Sequence, residues 1–310
     1  MAKRGKPGRS GGADAAAAVR GGGEHLEPTD WLCLAYHLGL FLLLASAGPA
    51  GRLAVWRGWA VAHLATLAAI VWLATRPSLP PALALLRRWY PVLSLLWLYG
   101  EVGALRHLVV PADLDPLFAA WDAAIFHGEP HLALPRALPA WALEALHGVY
   151  ASYYLLLFVP GLLAMRRAPG AVRRYVAVLN AAMLAHYLVG ILVPVSGPVA
   201  RRPEVIPPGE LFIPMMDALY ALFDRGGMAF PSTHVAASVI AAAFAGRWFP
   251  RARGLFWALA AAIAFSTVAC CYHYAIDTVA GAMTGALALA LAGRGATTVP
   301  PSRHRRRAAR

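Results

Sequence analysis

Apolar stretches of about 20 residues recur along this chain, and short connections carrying arginines separate them. A helix needs roughly that length to cross the hydrocarbon of a bilayer. In lipid the backbone must satisfy its own hydrogen bonds, so such stretches are helices or closed barrels. Eight are read here, at 31–48, 57–75, 89–107, 141–165, 172–195, 232–249, 254–272 and 274–292. The fold class expected is therefore all-α, a polytopic membrane helix bundle of about eight transmembrane helices. A mean hydropathy of +0.56 and 59% hydrophobic residues exclude an ordinary soluble domain.

The net charge of +13 raises a nucleic-acid partner, and its distribution removes it. Lys3, Arg4, Lys6 and Arg9 lie in a Gly-rich head; Arg303, Arg305, Arg306, Arg307 and Arg310 lie in the tail. The remaining clusters flank helices: Arg76, Arg87 and Arg88; Arg166, Arg167, Arg173 and Arg174; Arg247, Arg251 and Arg253. That is a positive-inside pattern. An even number of spans puts both termini in the cytoplasm, with the 76–88, 166–174 and 247–253 connections inside. The acidic 108–140 connection then falls outside, and Arg52 and Arg57 are the exception to the rule. The expected location is the cell (inner) membrane.

Residues 1–28 read as a disordered basic tail and 29–293 as one membrane catalytic domain, with a second disordered basic tail over 294–310. Two outer connections are longer than topology needs, 108–140 and 196–231, and each predicts a short interfacial helix. In the first, Asp115 reads as an N-cap with Pro116 at the first helical position. In the second, Leu211, Phe212, Met215, Met216, Leu219, Leu222 and Phe223 fall mostly on one side of 210–224. Together they frame a cleft open to lipid. Cys33, Cys270 and Cys271 read as small buried hydrophobes, neither a disulfide framework nor a metal site.

Ionisable groups inside membrane segments are expensive and mark functional sites. Five converge at one interfacial depth in this topology. His234 follows Ser232, an N-cap whose helix N-terminus is ready for an anion. His273 and Asp277 are four residues apart, a spacing that lets a carboxylate hold one imidazole nitrogen and free the other. Arg201 and Arg202 reach the same depth and have the fork geometry that clamps phosphate. Capping, an intrahelical pair and anionic-lipid contact are the bland readings of the same residues. His147 with Tyr150, Tyr153 and Tyr154 can line a polar pocket, and the other helix histidines, His37, His63, His107 and His186, read as packed donors. Gly281 and Gly285 allow close helix packing.

At these residues the chain resembles the type 2 phosphatidic acid phosphatase superfamily, whose motifs are K-x6-R-P, P-S-G-H and S-R-x5-H-x3-D. Pro231-Ser232-Thr233-His234 matches the second with Thr for Gly, and His273 with Asp277 matches the end of the third. Arg202-Pro203 fits the R-P of the first, while Val195 stands at its lysine and Thr267 at the arginine of the third. These departures, with His273-Tyr274-Ala275-Ile276-Asp277-Thr278-Val279-Ala280-Gly281, are most similar to the inositol phosphorylceramide synthase (aureobasidin-resistance) branch of lipid phosphotransferases. The resemblance covers about residues 110–292. It implies a metal-independent enzyme without cofactors in which His273 is the nucleophile, oriented by Asp277, and His234 the acid. Arg202, Arg201 and Ser232 hold the phosphate. Its implied partners are a lipid with a phosphate head group, a hydroxyl acceptor or water, and the surrounding membrane lipids. The implied site faces outward. A simple lipid or polyprenyl phosphate phosphatase is the alternative within the superfamily. A transporter, which would carry ionisable groups deep along a pathway, or a non-catalytic scaffold, fits less well.

Overall fold

The computed structural model describes residues 26–46, 53–223 and 226–293. Most of the two basic tails, Arg52 and Asp224 lie outside the described residues. Those residues form twelve α-helices: α1 (Pro28–Ser46), α2 (Leu53–Ala74), α3 (Pro81–Leu105), α4 (Asp115–Phe126), α5 (Pro130–Ala137), α6 (Ala140–Ala151), α7 (Tyr153–Ala164), α8 (Pro169–Leu192), α9 (Phe212–Phe223), α10 (Thr233–Trp248), α11 (Arg253–Ala269) and α12 (Ala275–Leu291). The fold is all-α, and a single isolated bridge, Val195 to Met228, is the β pairing among the described residues.

Each expected span coincides with helix, 141–165 with the consecutive α6 and α7 that meet at Ser152, but five stretches are long and apolar enough to cross a bilayer: Pro28–Ser46, Arg57–Ala74, Ala140–Ala164, Pro169–Leu192 and Pro250–Ala269. The other three differ for physical reasons. Helix α3 carries Arg87, Arg88 and Glu101. Helices α10 and α12 have 16 and 17 residues, about 24–26 Å at 1.5 Å per residue. Helix α10 faces protein along most of its length, with Val235, Ala236, Ala237, Ile240, Ala241, Phe244 and Ala245 buried. A helix surrounded by other helices need not match the lipid thickness.

The chain divides into two compact units at Pro91. In the first, α1 packs on α2. The buried Asp30 takes both terminal nitrogens of Arg87 and, at 2.5 Å, the hydroxyl of Tyr90. His37 and His63 meet through their Nδ1 atoms at 2.8 Å, as packed helix histidines do. In the second unit α10 is the hub, packed by α7, α8, α11 and α12. Glycine makes the α10–α12 contact close: a Cβ on Gly281 would stand 2.5 Å from the carbonyl oxygen of Ser232, and one on Gly285 2.8 Å from that of Ala236.

The two long connections are helical as expected, with one addition and one shift. The first holds two helices, α4 and α5, rather than one. Asp115 occupies the first turn of α4 and does not cap it. Its carboxylate reaches across the fold instead, accepting from Ser196 N–H at 2.9 Å and from the Tyr274 hydroxyl at 3.3 Å. Burial pushes the Asp115 carboxyl above its ordinary range, against the amides of Ser196 and Gly197 that favour its anion. The second connection holds a 3-10 turn, Pro198–Glu204, and α9, whose Ile213 and Met216 are buried.

Candidate functional site

The site begins at two helix N-termini held together by Gly281. Ser232 caps α10 as the sequence predicts, its Oγ accepting from Val235 N–H at 3.4 Å. His234 therefore sits in the first turn. Its ring packs between Tyr150 and Tyr153, at centroid distances of 4.8 and 4.6 Å. The Tyr150 hydroxyl lies 3.2 Å from Nε2 of His234 and 2.8 Å from the Tyr220 hydroxyl.

His273 is not on the helix with Asp277. It lies two residues ahead of Ala275, in a turn opened by the left-handed Cys271 (φ 57°). The amides of Tyr272 and His273 both donate to the Thr267 carbonyl at 3.0 Å, which anchors the turn to α11. The ring is oriented by backbone: Nδ1 lies 3.0 Å from the Ala229 carbonyl, while Asp277 Oδ2 is 3.6 Å away. A carbonyl only accepts, so the network assigns the proton to Nδ1 and leaves Nε2 as the acceptor, which the Ser232 hydroxyl can meet as donor. Nε2 faces the Ser232 hydroxyl at 3.3 Å. Asp277 has a different first task. Its Oδ2 accepts from Tyr274 N–H at 2.9 Å, closing a capping box at the start of α12. Its other oxygen is buried without a hydrogen-bond partner.

The rings of His234 and His273 are 6.0 Å apart between centroids. Both line a narrow polar chamber with Tyr99, Ser196, Tyr220 and Tyr272. Tyr99, Tyr220 and His234 also form the wall of an adjoining apolar cavity of about 280 Å³, which runs between α3, α7, α8 and α9 past Leu96, Phe158 and Met183.

Neither arginine lines either cavity. Arg202 is 7% exposed and fully engaged: Nε donates to the Cys270 carbonyl at 3.1 Å, Nη1 to Asp217 at 2.6 Å, and Nη2 to Nε2 of His147 at 2.9 Å. Burial opposes its charge, and Tyr272 and Asp217 outweigh that, keeping its pKa above the ordinary value. Arg201 is at the surface, paired with Glu204 at 2.9 Å and Glu129 at 3.2 Å. Among the sequence-predicted residues, the structure thus brings together His234, His273, Ser232 and Asp277, and sets the two arginines apart from them.

The residues that sequence reading misses are those of the first outer connection. Asp122 on α4 is fully buried, and its Oδ1 accepts from Ile276 N–H in the first turn of α12 at 2.9 Å. His131 on α5 stands 3.5 Å behind its other oxygen. Phe118 packs against Ala229 and Tyr274. The acidic pattern of 108–140 is the signal that can find them, since a helix N-terminus attracts carboxylates. Among the described residues no group of three or more His, Cys, Asp or Glu side chains comes together to hold a metal.

Long apolar helices around a histidine pair, His273 buried and His234 half-buried, at two helix N-termini define an all-α membrane-protein class. A sequence profile of the PAP2 superfamily matches residues 116–291, more than half of the chain, and the protein belongs to that superfamily. Its members are phosphatases and phosphotransferases, so the chain is an enzyme of phosphoester chemistry. No curated protein and no solved structure matches the chain.

Proposed function

We propose that this protein is an integral-membrane lipid phosphotransferase working through a phosphohistidine on His273, at the extracytoplasmic face and without a metal. The observation that carries the reading is the shared wall: His234 belongs both to the polar chamber with His273 and to the apolar cavity. A phosphate head beside the histidines would have its hydrocarbon chain in the adjoining space.

In this scheme the unprotonated Nε2 of His273 attacks phosphorus in line as the Ser232 hydroxyl turns from it to the phosphate. The bond from phosphorus to the leaving alkoxide breaks, and His234 supplies the proton that alkoxide needs. The acceptor hydroxyl then attacks the phosphohistidine, returns a proton to His234 and frees His273. Ala229 holds the tautomer that makes Nε2 nucleophilic, and the Asp277 charge at 3.6 Å stabilises the positive ring as it forms. Ser232 meets a phosphoryl oxygen. Arg201, saturated by Glu129 and Glu204, takes no part.

The lining favours transfer over simple dephosphorylation. The polar residues of the chamber are tyrosines, serine and histidines, with no lysine or arginine among them. Burying a dianionic phosphomonoester without a cation is costly, and a phosphodiester carries one charge. Val195 and Thr267 at the two basic motif positions agree with this, as does the resemblance to the inositol phosphorylceramide synthase branch. The test is purified protein with a labelled glycerophosphodiester lipid and a lipid alcohol, against a lipid phosphomonoester in water, with products separated by chromatography. Transfer of the head group to the alcohol supports the reading. Release of inorganic phosphate from the monoester alone makes the protein a lipid phosphate phosphatase, and no turnover of either removes the enzymatic reading.

A further inference from the structure

The polar chamber holds one hydroxyl that the protein itself leaves unused. Tyr272, immediately before His273, is 1% exposed and lines the chamber, and its hydroxyl has no hydrogen-bond partner. Buried hydroxyls nearly always find partners, because losing water without replacement is unfavourable. A tyrosine kept only for packing would lose nothing as phenylalanine.

The ring of Tyr272 is also unusually well fixed. It stacks on Tyr150 and Tyr220 at centroid distances of 4.7 and 4.4 Å. Arg202 lies against it, with Cζ 4.1 Å from the ring centre. Arg202 is itself held by Cys270, Asp217 and His147. A guanidinium on a phenol face is attracted to the ring electrons and draws density from them, which makes the hydroxyl a stronger donor.

We propose that the Tyr272 hydroxyl donates to a non-bridging phosphoryl oxygen of the substrate, and that Arg202 acts on the phosphate through this ring rather than by touching it. Tyr272 is thus a binding residue and Arg202 a positioning one. The inference rests on the phosphoester reading of the site, and it explains how a chamber without a lining cation presents a strong donor beside the nucleophile.

Tyr272→Phe removes one oxygen and keeps the stack. Because that oxygen has no protein partner, the unfolding temperature of the full chain in detergent stays level or rises. kcat/KM falls about 10- to 1,000-fold, the range for loss of a single preorganised donor. Arg202→Lys produces a smaller fall, and adding it to Tyr272→Phe produces no further one, which a purely structural arginine would not show. Orthovanadate gives a readout independent of turnover: it raises the unfolding temperature of the wild-type chain, and Tyr272→Phe abolishes that rise. Should Tyr272→Phe not fold, Arg202→Lys carries the test through a reduced orthovanadate shift. A wild-type chain that turns over no phosphoester, with an orthovanadate shift that Tyr272→Phe removes, sinks the enzyme reading and leaves this inference standing. Turnover of Tyr272→Phe within threefold of wild type, an unchanged orthovanadate shift in the variant, or no shift in the wild-type chain overturns it.

Discussion

The N-termini of α10 and α12 carry the two histidines, and they are built differently. At α10 the cap is local: Ser232 closes its own helix and His234 rides on the first turn. At α12 the histidine stands outside the helix, and three other segments fix it. Ala229 holds its ring, Thr267 holds its amide, and Asp122 and Asp277 hold the turn that follows. A group that gives and takes a proton tolerates some freedom. A nucleophile that must lie in line with a breaking bond does not. The difference teaches that His273 is the residue placed most strictly, and that the first outer connection exists in part to place it.

The largest effect expected is at His273. His273→Ala removes turnover with every substrate, whereas His234→Ala keeps measurable reaction with a substrate whose leaving group needs no proton, such as a nitrophenyl phosphodiester. Equal residual rates for both variants with that substrate break the asymmetry. Next comes the contact between the two termini. Gly281→Ala places a methyl 2.5 Å from the Ser232 carbonyl, which forces α12 off the α10 cap. Overpacking of this kind costs about 1–3 kcal/mol, and turnover should fall at least tenfold. Gly39→Ala, with nothing within 4 Å of the added carbon, is the control and should leave thermal stability and turnover unchanged.

Asp277→Asn separates cap from charge. The amide oxygen still accepts from Tyr274, so the unfolding temperature should stay within a few degrees. Turnover should fall roughly 10²–10⁴-fold as the developing imidazolium loses its anion. If more than a third of the activity remains, Asp277 is a cap alone. The smallest effect belongs to Asp122→Ala, which leaves Ile276 N–H unpaired at a cost of about 1 kcal/mol, the usual value of a helix cap. It should lower kcat severalfold with KM little changed, and Asp122→Asn, which keeps the acceptor, should restore it.

How much of this was legible in the sequence follows the range of each interaction. The helices, the Ser232 cap and the small-residue face at Gly281 are local patterns, and all three stand where the spacing puts them. The His273–Asp277 spacing correctly marks a place and misstates its geometry, because the chain turns at Cys271 and starts α12 only at Ala275. The arginine–proline pair at Arg202 looks like a phosphate clamp, yet its three partners come from sequence positions 147, 217 and 270, which no periodicity links. The same holds for Tyr99, Tyr220 and Asp122. Charge patterning supports an outward-facing site, which labelling can check: cysteines placed at 128 and 207 should react with an impermeant reagent in intact cells and one at 169 should not.

The account centres on a covalent bond to His273. Protein mixed with substrate, quenched within milliseconds in alkali and digested, should yield a phosphoryl-modified peptide containing His273, stable to base and lost in acid, with more of it in His234→Gln when the substrate is a nitrophenyl phosphodiester. Unmodified His273 under conditions where product forms, or the modification found on His234 instead, would contradict it.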